Sequence, residues 1–120
     1  MEYKLYNNDL PSSLKFNKVV AIDTETMGLK LHRDRLCLVQ ISNGDGIAHL
    51  IQIKKNIITK PKNLITLLKD SKITKLFHFA RFDLSVLNKE FKAPNRDSSP
   101  VEPNNELTKS VFLLSISIGL

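Results

Sequence analysis

The sequence holds a single cysteine, Cys37, so no intrachain disulfide can form, and no Cys/His cluster has the spacing of a zinc site. A reducing, cytoplasmic compartment is the expectation. Long apolar runs are also missing. The most apolar segment, Val111 to Leu120, is about half the ~20 residues a membrane-spanning helix needs. Residues 1–8 carry neither a basic leader nor an apolar core of signal-peptide length, so neither secretion nor a membrane anchor is expected. No segment repeats elsewhere in the chain. Acidic residues are few, 12 against 18 basic. The net charge of +6 and isoelectric point near 9.6 favour a polyanionic partner, although a lysine-heavy composition gives the same balance by itself.

With 42% apolar residues over 120 positions, the chain is sized for one globular domain that buries about two thirds of its unfolded surface. Its most informative stretch is Val19-Val20-Ala21-Ile22-Asp23-Thr24-Glu25-Thr26-Met27-Gly28. Four consecutive apolar residues predict a strand buried on both faces, as in the centre of a mixed or parallel sheet. Asp23 and Glu25 fall where that strand ends. Side chains alternate across a strand, so the two carboxylates point to one side about 6–7 Å apart, with Thr24 pointing to the other. Two carboxylates beside an apolar core repel unless one is protonated or a cation sits between them. A divalent metal site is one reading and a solvated loop start the other; the stretch alone does not separate them.

Along the chain, Tyr3–Tyr6 is strand-like, and Asn8-Asp9-Leu10-Pro11 has the cap and proline of a short helix start. Leu36–Ser42 is a second strand, with Cys37, Val39 and Ile41 on one face. Asn43-Gly44-Asp45-Gly46 is a tight-turn signal, because Asn and Gly tolerate the positive φ such turns require. Ile47–Ile53 then returns antiparallel. After the basic connection Lys54–Lys60, Pro61 opens a helix whose Leu64, Ile65, Leu67 and Leu68 form one apolar stripe. Ile73–Phe79 is another strand. Ala80–Phe91 is a helix with Leu84, Leu87 and Phe91 on one side and Asp83 in its first turn. Three strands, then a helix, strand and helix, define an α/β domain. Ala93–Ser110 has no period and reads as irregular, and the closing apolar decapeptide as a terminal strand, a helix or an uncovered tail.

His78-Phe79-Ala80-Arg81-Phe82-Asp83 is the second chemical cluster. A carboxylate in the first turn of a helix after a strand can be aimed at the crevice beyond the strand ends, and the helix dipole favours it there. By itself Asp83 could equally serve the dipole alone. Taken together, Ala21-Ile22-Asp23-Thr24-Glu25-Thr26, then Arg35-Leu36-Cys37-Leu38-Val39-Gln40-Ile41, then His78-Phe79-Ala80-Arg81-Phe82-Asp83 resemble the ribonuclease D branch of the DEDD 3'-5' exonuclease superfamily. The resemblance covers residues 1–93.

It implies a ribonuclease H-like α/β fold, a mixed sheet with flanking helices, incomplete at its C-terminal side. It also implies metal-dependent phosphodiester hydrolysis at RNA 3' ends, with RNA preferred to DNA and tRNA precursors as family substrates. Two Mg2+ or Mn2+ ions would be held by Asp23, Glu25 and Asp83, the catalytic carboxylates. Asp23 would bridge both ions. Thr26, Met27 and Leu29 would bind the terminal nucleotide, and His78 would help position it, since hard cations do not call for imidazole. For Lys75, Arg81 and Lys54-Lys55, phosphate attraction stands beside the plainer reading of solvated surface charge.

The family's third motif, Tyr or His followed four residues later by Asp, has no counterpart. No Tyr follows Tyr6, no His follows His78, and Glu90, Asp97, Glu102 and Glu106 do not fit by spacing. One metal carboxylate is therefore missing, and residues 94–120 are expected to be an irregular, non-native tail left by truncation. Weak or absent activity follows as an expectation, with two alternatives: a catalytically dead nucleic-acid-binding fragment, or one half of a site that a downstream complementing fragment completes.

Overall fold

The computed structural model describes residues 1–28, 30, 33–55, 59–78, 80–91 and 111–114. Strands β1 (Glu2–Asn7), β2 (Val19–Thr26), β3 (Leu36–Ser42) and β4 (Ile47–Gln52) precede α1 (Lys62–Lys69), β5 (Thr74–His78), α2 (Ala80–Phe91) and β6 (Val111–Leu114). They form one mixed sheet in the order β1-β4-β3-β2-β5-β6. The predicted hairpin is β3 and β4, paired antiparallel through a turn in which Gly44 and Gly46 take the positive φ that glycine admits without strain. β5 lies parallel to β2, and α2 begins two residues after β5 ends.

Period-2 alternation places the core. Val20, Ile22 and Thr24 of β2 are buried while Val19, Ala21, Asp23 and Glu25 between them are exposed. In register with the buried set stand Val39 and Ile41 of β3, Ile51 of β4 and Phe77 of β5. Leu64, Leu67 and Leu68 of α1 and Val86, Leu87 and Phe91 of α2 join them in one core cluster. β2 is therefore buried on one face only, contrary to the expectation from its apolar run. Both helices fill the same side, and Val19 on the other remains 47% exposed. A short apolar run cannot distinguish a doubly buried strand from one whose outer face carries small residues such as Ala21.

Two local expectations change, at residues 8–11 and at Lys75. Residues 8–11 do not begin a helix. Instead the Asp9 carboxylate accepts the main-chain N–H groups of Asn63 (3.1 Å) and Leu64 (2.9 Å), capping α1, whose own N-cap, Pro61, supplies no side-chain bond. Lys75, read as a phosphate-binding or solvated charge, is 1% exposed, and its ammonium donates to the Asp70 carbonyl. The strand-like start becomes β1, which pairs parallel with β4, Tyr6 opposite Ile51. The Tyr6 ring stacks 5.8 Å from buried His49 and its hydroxyl meets Nδ1 at 3.0 Å. The closing apolar decapeptide, read as a terminal strand, a helix or an uncovered tail, supplies β6 at residues 111–114, parallel to β5; residues 94–110 and 115–120 lie outside the described residues. Among the described residues no helix is long and apolar enough to cross a membrane.

Candidate active site

The C-terminal end of β2 carries the acidic residues. Its ladder with β3 runs Asp23 opposite Gln40 and Glu25 opposite Leu38, then shifts so that Thr26 meets Leu36. Cys37 is left as the extra residue of a bulge, a feature that bends a strand and re-aims side chains. Asp23 and Glu25 are on the exposed face, and Thr24 between them is 7% exposed on the opposite face.

Thr24 joins two of the predicted residues. Its main-chain N–H donates to Asp23 Oδ1 at 3.0 Å. Its hydroxyl donates to Oδ1 of Asp83, which α2 carries in its first turn at 4% exposure. Burial pushes the Asp83 carboxyl up to about 6; the charges of Asp23 and Glu25 push the same way, and the Thr24 hydroxyl and main chain offset part of the rise. Thr24 is the linking residue that the sequence reading passed over. Its only signal was its place between two acids on the inward face of the strand.

The loop after β2 is fixed by a second carboxylate. Thr26 donates to the Gly28 carbonyl, and Met27 N–H donates to Arg35 O at 3.0 Å. Asp34 accepts Lys30 N–H at 2.9 Å and Arg33 Nε at 2.9 Å. The Arg33 guanidinium, then the Lys30 amide, hold its carboxyl below the usual range. A Cβ on Gly28 would stand 2.4 Å from Asp34 Oδ2, so a side chain here has to displace that carboxylate from its bonds to Lys30 and Arg33. Gly28→Ala should lower the melting temperature by roughly 5–10 °C, the range of a modest overpacking, and Gly28→Ala/Asp34→Ala should recover part of it in a thermal scan. An unchanged Gly28→Ala melt would contradict this contact.

The predicted residues are thus only partly brought together. Asp23 and Asp83 meet at Thr24, and Glu25 is near enough to act on Asp83 through its charge. Thr26 is half-buried, and Met27 is 68% exposed at the strand end. Leu29 and the His78 side chain lie outside the described residues. Among the described residues no group of three His, Cys, Asp or Glu side chains is gathered closely enough to hold a metal ion. The donors are nonetheless all carboxylate oxygens, the set that Mg2+ and Mn2+ take. The like-charge repulsion on Asp83 is what a cation would relieve, so the residues present fit such an ion by chemistry.

An Asp-x-Glu strand in a mixed sheet, with a helix-borne Asp pressed against it, defines the class: a ribonuclease H-like α/β exonuclease fold. A family model described as 3'-5' exonuclease matches residues 6–101, and the chain belongs to this 3'-5' exonuclease family of the DEDD superfamily. The match runs past residue 93, where the resemblance in the sequence had ended. Among solved structures, Brucella melitensis NrnC is 47% identical over 94% of this chain and 49% of its own, with a TM-score of 0.72. It is also known with bound Mg2+ and bound to pGG. The EXD2 exonuclease domain soaked in Mg and GMP is 26% identical over 62% of this chain and 38% of its own, with a TM-score of 0.52. Escherichia coli RNase D is 28% identical over 62% of this chain and 19% of its own, with a TM-score of 0.49. No curated protein matches the chain. The chain spans about half the length of the NrnC structures it matches.

Proposed function

We propose that this chain is a 3'-5' exonuclease domain of the ribonuclease D type, hydrolysing phosphodiester bonds at RNA 3' ends, with tRNA precursors the first substrates to test. The observation that carries the reading is the Thr24 link, which draws Asp83 to the residue between Asp23 and Glu25. Divalent metal suits the family, since NrnC is known with bound Mg2+ and the EXD2 exonuclease domain was soaked in Mn. Asp23, Glu25 and Asp83 would hold Mg2+ or Mn2+ here. Bound ions supply an activated water and charge compensation at the leaving 3' oxygen. The chain's own residues orient the site: Thr24 fixes two carboxylates by hydrogen bonds, and the exposed Met27 offers an apolar contact to the terminal nucleotide, beside Thr26. Leu29 and His78 are proposed to complete that contact.

A second reading is favoured by the absence of a gathered three-carboxylate cluster among the described residues. In it the chain binds nucleic acid without turnover, or turns over only when a second chain adds a further carboxylate. Digestion of 3'-labelled RNA, and of matched DNA, with Mn2+ or chelator decides between them. The exonuclease reading expects Mn2+-dependent release of mononucleotides, reduced 10²-fold or more by Asp23→Ala. A folded chain that binds RNA but releases none would establish the second reading.

A further inference from the structure

The sheet ends at β1, and among the described residues no strand lies beyond it. β1 is bonded to β4 through its even-numbered residues: at the two ends of the parallel ladder Glu2 N–H donates to Gly46 O and Asn8 N–H to Gln52 O, both at 2.8 Å. Bonding direction alternates along a strand, so the main-chain groups of Met1, Tyr3 and Leu5 face the open edge. Such edges are ordinarily guarded by proline, a bulge or inward-pointing charge. β1 has no proline and runs beside β4 without a register shift.

The side chains of this edge are complementary to themselves. Tyr6 packs on the helix side, opposite Ile51, so Tyr3 and Leu5, and by alternation Met1, lie on the other face; Met1, Tyr3 and Leu5 are 81%, 64% and 65% exposed. The helix-side face of the edge carries one acid and one base, Glu2 and Lys4, both exposed. Run antiparallel about Tyr3, two copies set Tyr3 opposite the partner's Tyr3, a pair that exchanges main-chain bonds because both face outward. Met1 then meets the partner's Leu5, and Glu2 meets the partner's Lys4, each twice by symmetry. The neighbouring registers do worse. Centring on Lys4 sets two lysines against each other, and centring on Leu5 calls on the Asn7 carbonyl, which already accepts the Asp9 N–H at 2.9 Å.

We propose that a second copy of this chain pairs antiparallel along the outer edge of β1, centred on Tyr3, and joins the two sheets into one. β4 and β3 lie between β1 and β2, so Asp23 and Glu25 stay clear of the junction, and the pairing does not depend on the exonuclease reading. An edge this short buries less than a standard interface, so the dimer is weak and concentration-dependent.

Sedimentation equilibrium of the untagged chain, over about 1–300 µM to bracket micromolar affinities, tests this. Wild type should pass from monomer to dimer across the series. Glu2→Lys and Lys4→Glu each set like charges together at both symmetric pairs and should weaken association on the order of 10-fold. Mixed in equal amounts, the two variants should associate at least as tightly as wild type, because every facing pair is then opposite in charge; an unfolded variant could not do this. Glu2→Lys/Lys4→Glu, whose net charge is that of wild type, should also recover wild-type association. A wild type that stays monomeric throughout, single variants that associate unchanged, a mixture no tighter than either variant alone, or a double variant as weak as the single ones overturns the proposal.

Discussion

Asp83→Asn is expected to stabilise the fold above pH 6 and to lower Mn2+-dependent hydrolysis by 10²-fold or more. Burial, with the charges of Asp23 and Glu25, raises this carboxyl from 3.8 to about 6. A raised folded-state value means that the folded protein holds a proton over the interval where the unfolded chain has lost it. The stability gained from that proton is full below the unfolded value and is lost as pH rises through about 6. Above that, the charged carboxylate at 4% exposure costs about 3 kcal/mol, at 1.36 kcal/mol for each pKa unit. Asparagine carries no charge and its carbonyl can still accept the Thr24 hydroxyl, so the variant should gain about 2–3 kcal/mol at pH 8 and nothing near pH 4. Thr24→Val should move the other way by about 1–3 kcal/mol, because it leaves a buried acceptor unpaired. Urea unfolding at both pH values measures this. A difference between wild type and Asp83→Asn that does not grow with pH would refute the buried-charge account. Added Mn2+ should raise the melting temperature of the wild type and not of the variant.

The elements legible in the sequence are those whose signals are local. The β3–β4 hairpin is written in Asn43-Gly44-Asp45-Gly46 between alternating strands. α1 follows from Leu64, Leu67 and Leu68 at helical spacing, and α2 from Leu84, Leu87 and Phe91. The places where reading fell short depend on residues distant in the chain. Asp9 looked like the start of its own helix because a cap residue before Pro11 carries that signature; the helix it caps begins more than fifty residues later. β1 pairs parallel with β4, and no local pattern encodes a partner that far away. At the candidate site, Asp23, Glu25 and Asp83 were legible as types and spacing. The role of Thr24 was not, because strand alternation placed it away from the acids, whereas α2 brings Asp83 to its hydroxyl from the inward side.

Lys75→Ala is expected to cost about 2–4 kcal/mol, the range for emptying a long side chain's site in a packed core. In a sequence, a lysine in a strand reads as solvent-facing. Here Lys75 stands opposite Val20 in the β2–β5 ladder and is 1% exposed. Its methylene stem fills core volume while its ammonium donates to the Asp70 carbonyl, at the C-cap of α1, where the negative end of the helix dipole favours a cation. Burial pushes its pKa down, and the Asp70 charge offsets part of that shift. The sign follows. A depressed folded-state value means that the unfolded chain binds the proton more readily, so wild-type stability rises as pH climbs through the folded value toward 10.5. Lys75→Met keeps the volume and discards the buried charge, and should lie within about 1.5 kcal/mol of wild type at pH 7. Chemical denaturation at pH 7 and pH 10 should show wild type gaining on Lys75→Met at the higher pH, while Lys75→Ala remains the least stable throughout. A Lys75→Ala protein as stable as wild type would place this side chain in solvent, and the α1 C-terminus would then need another partner.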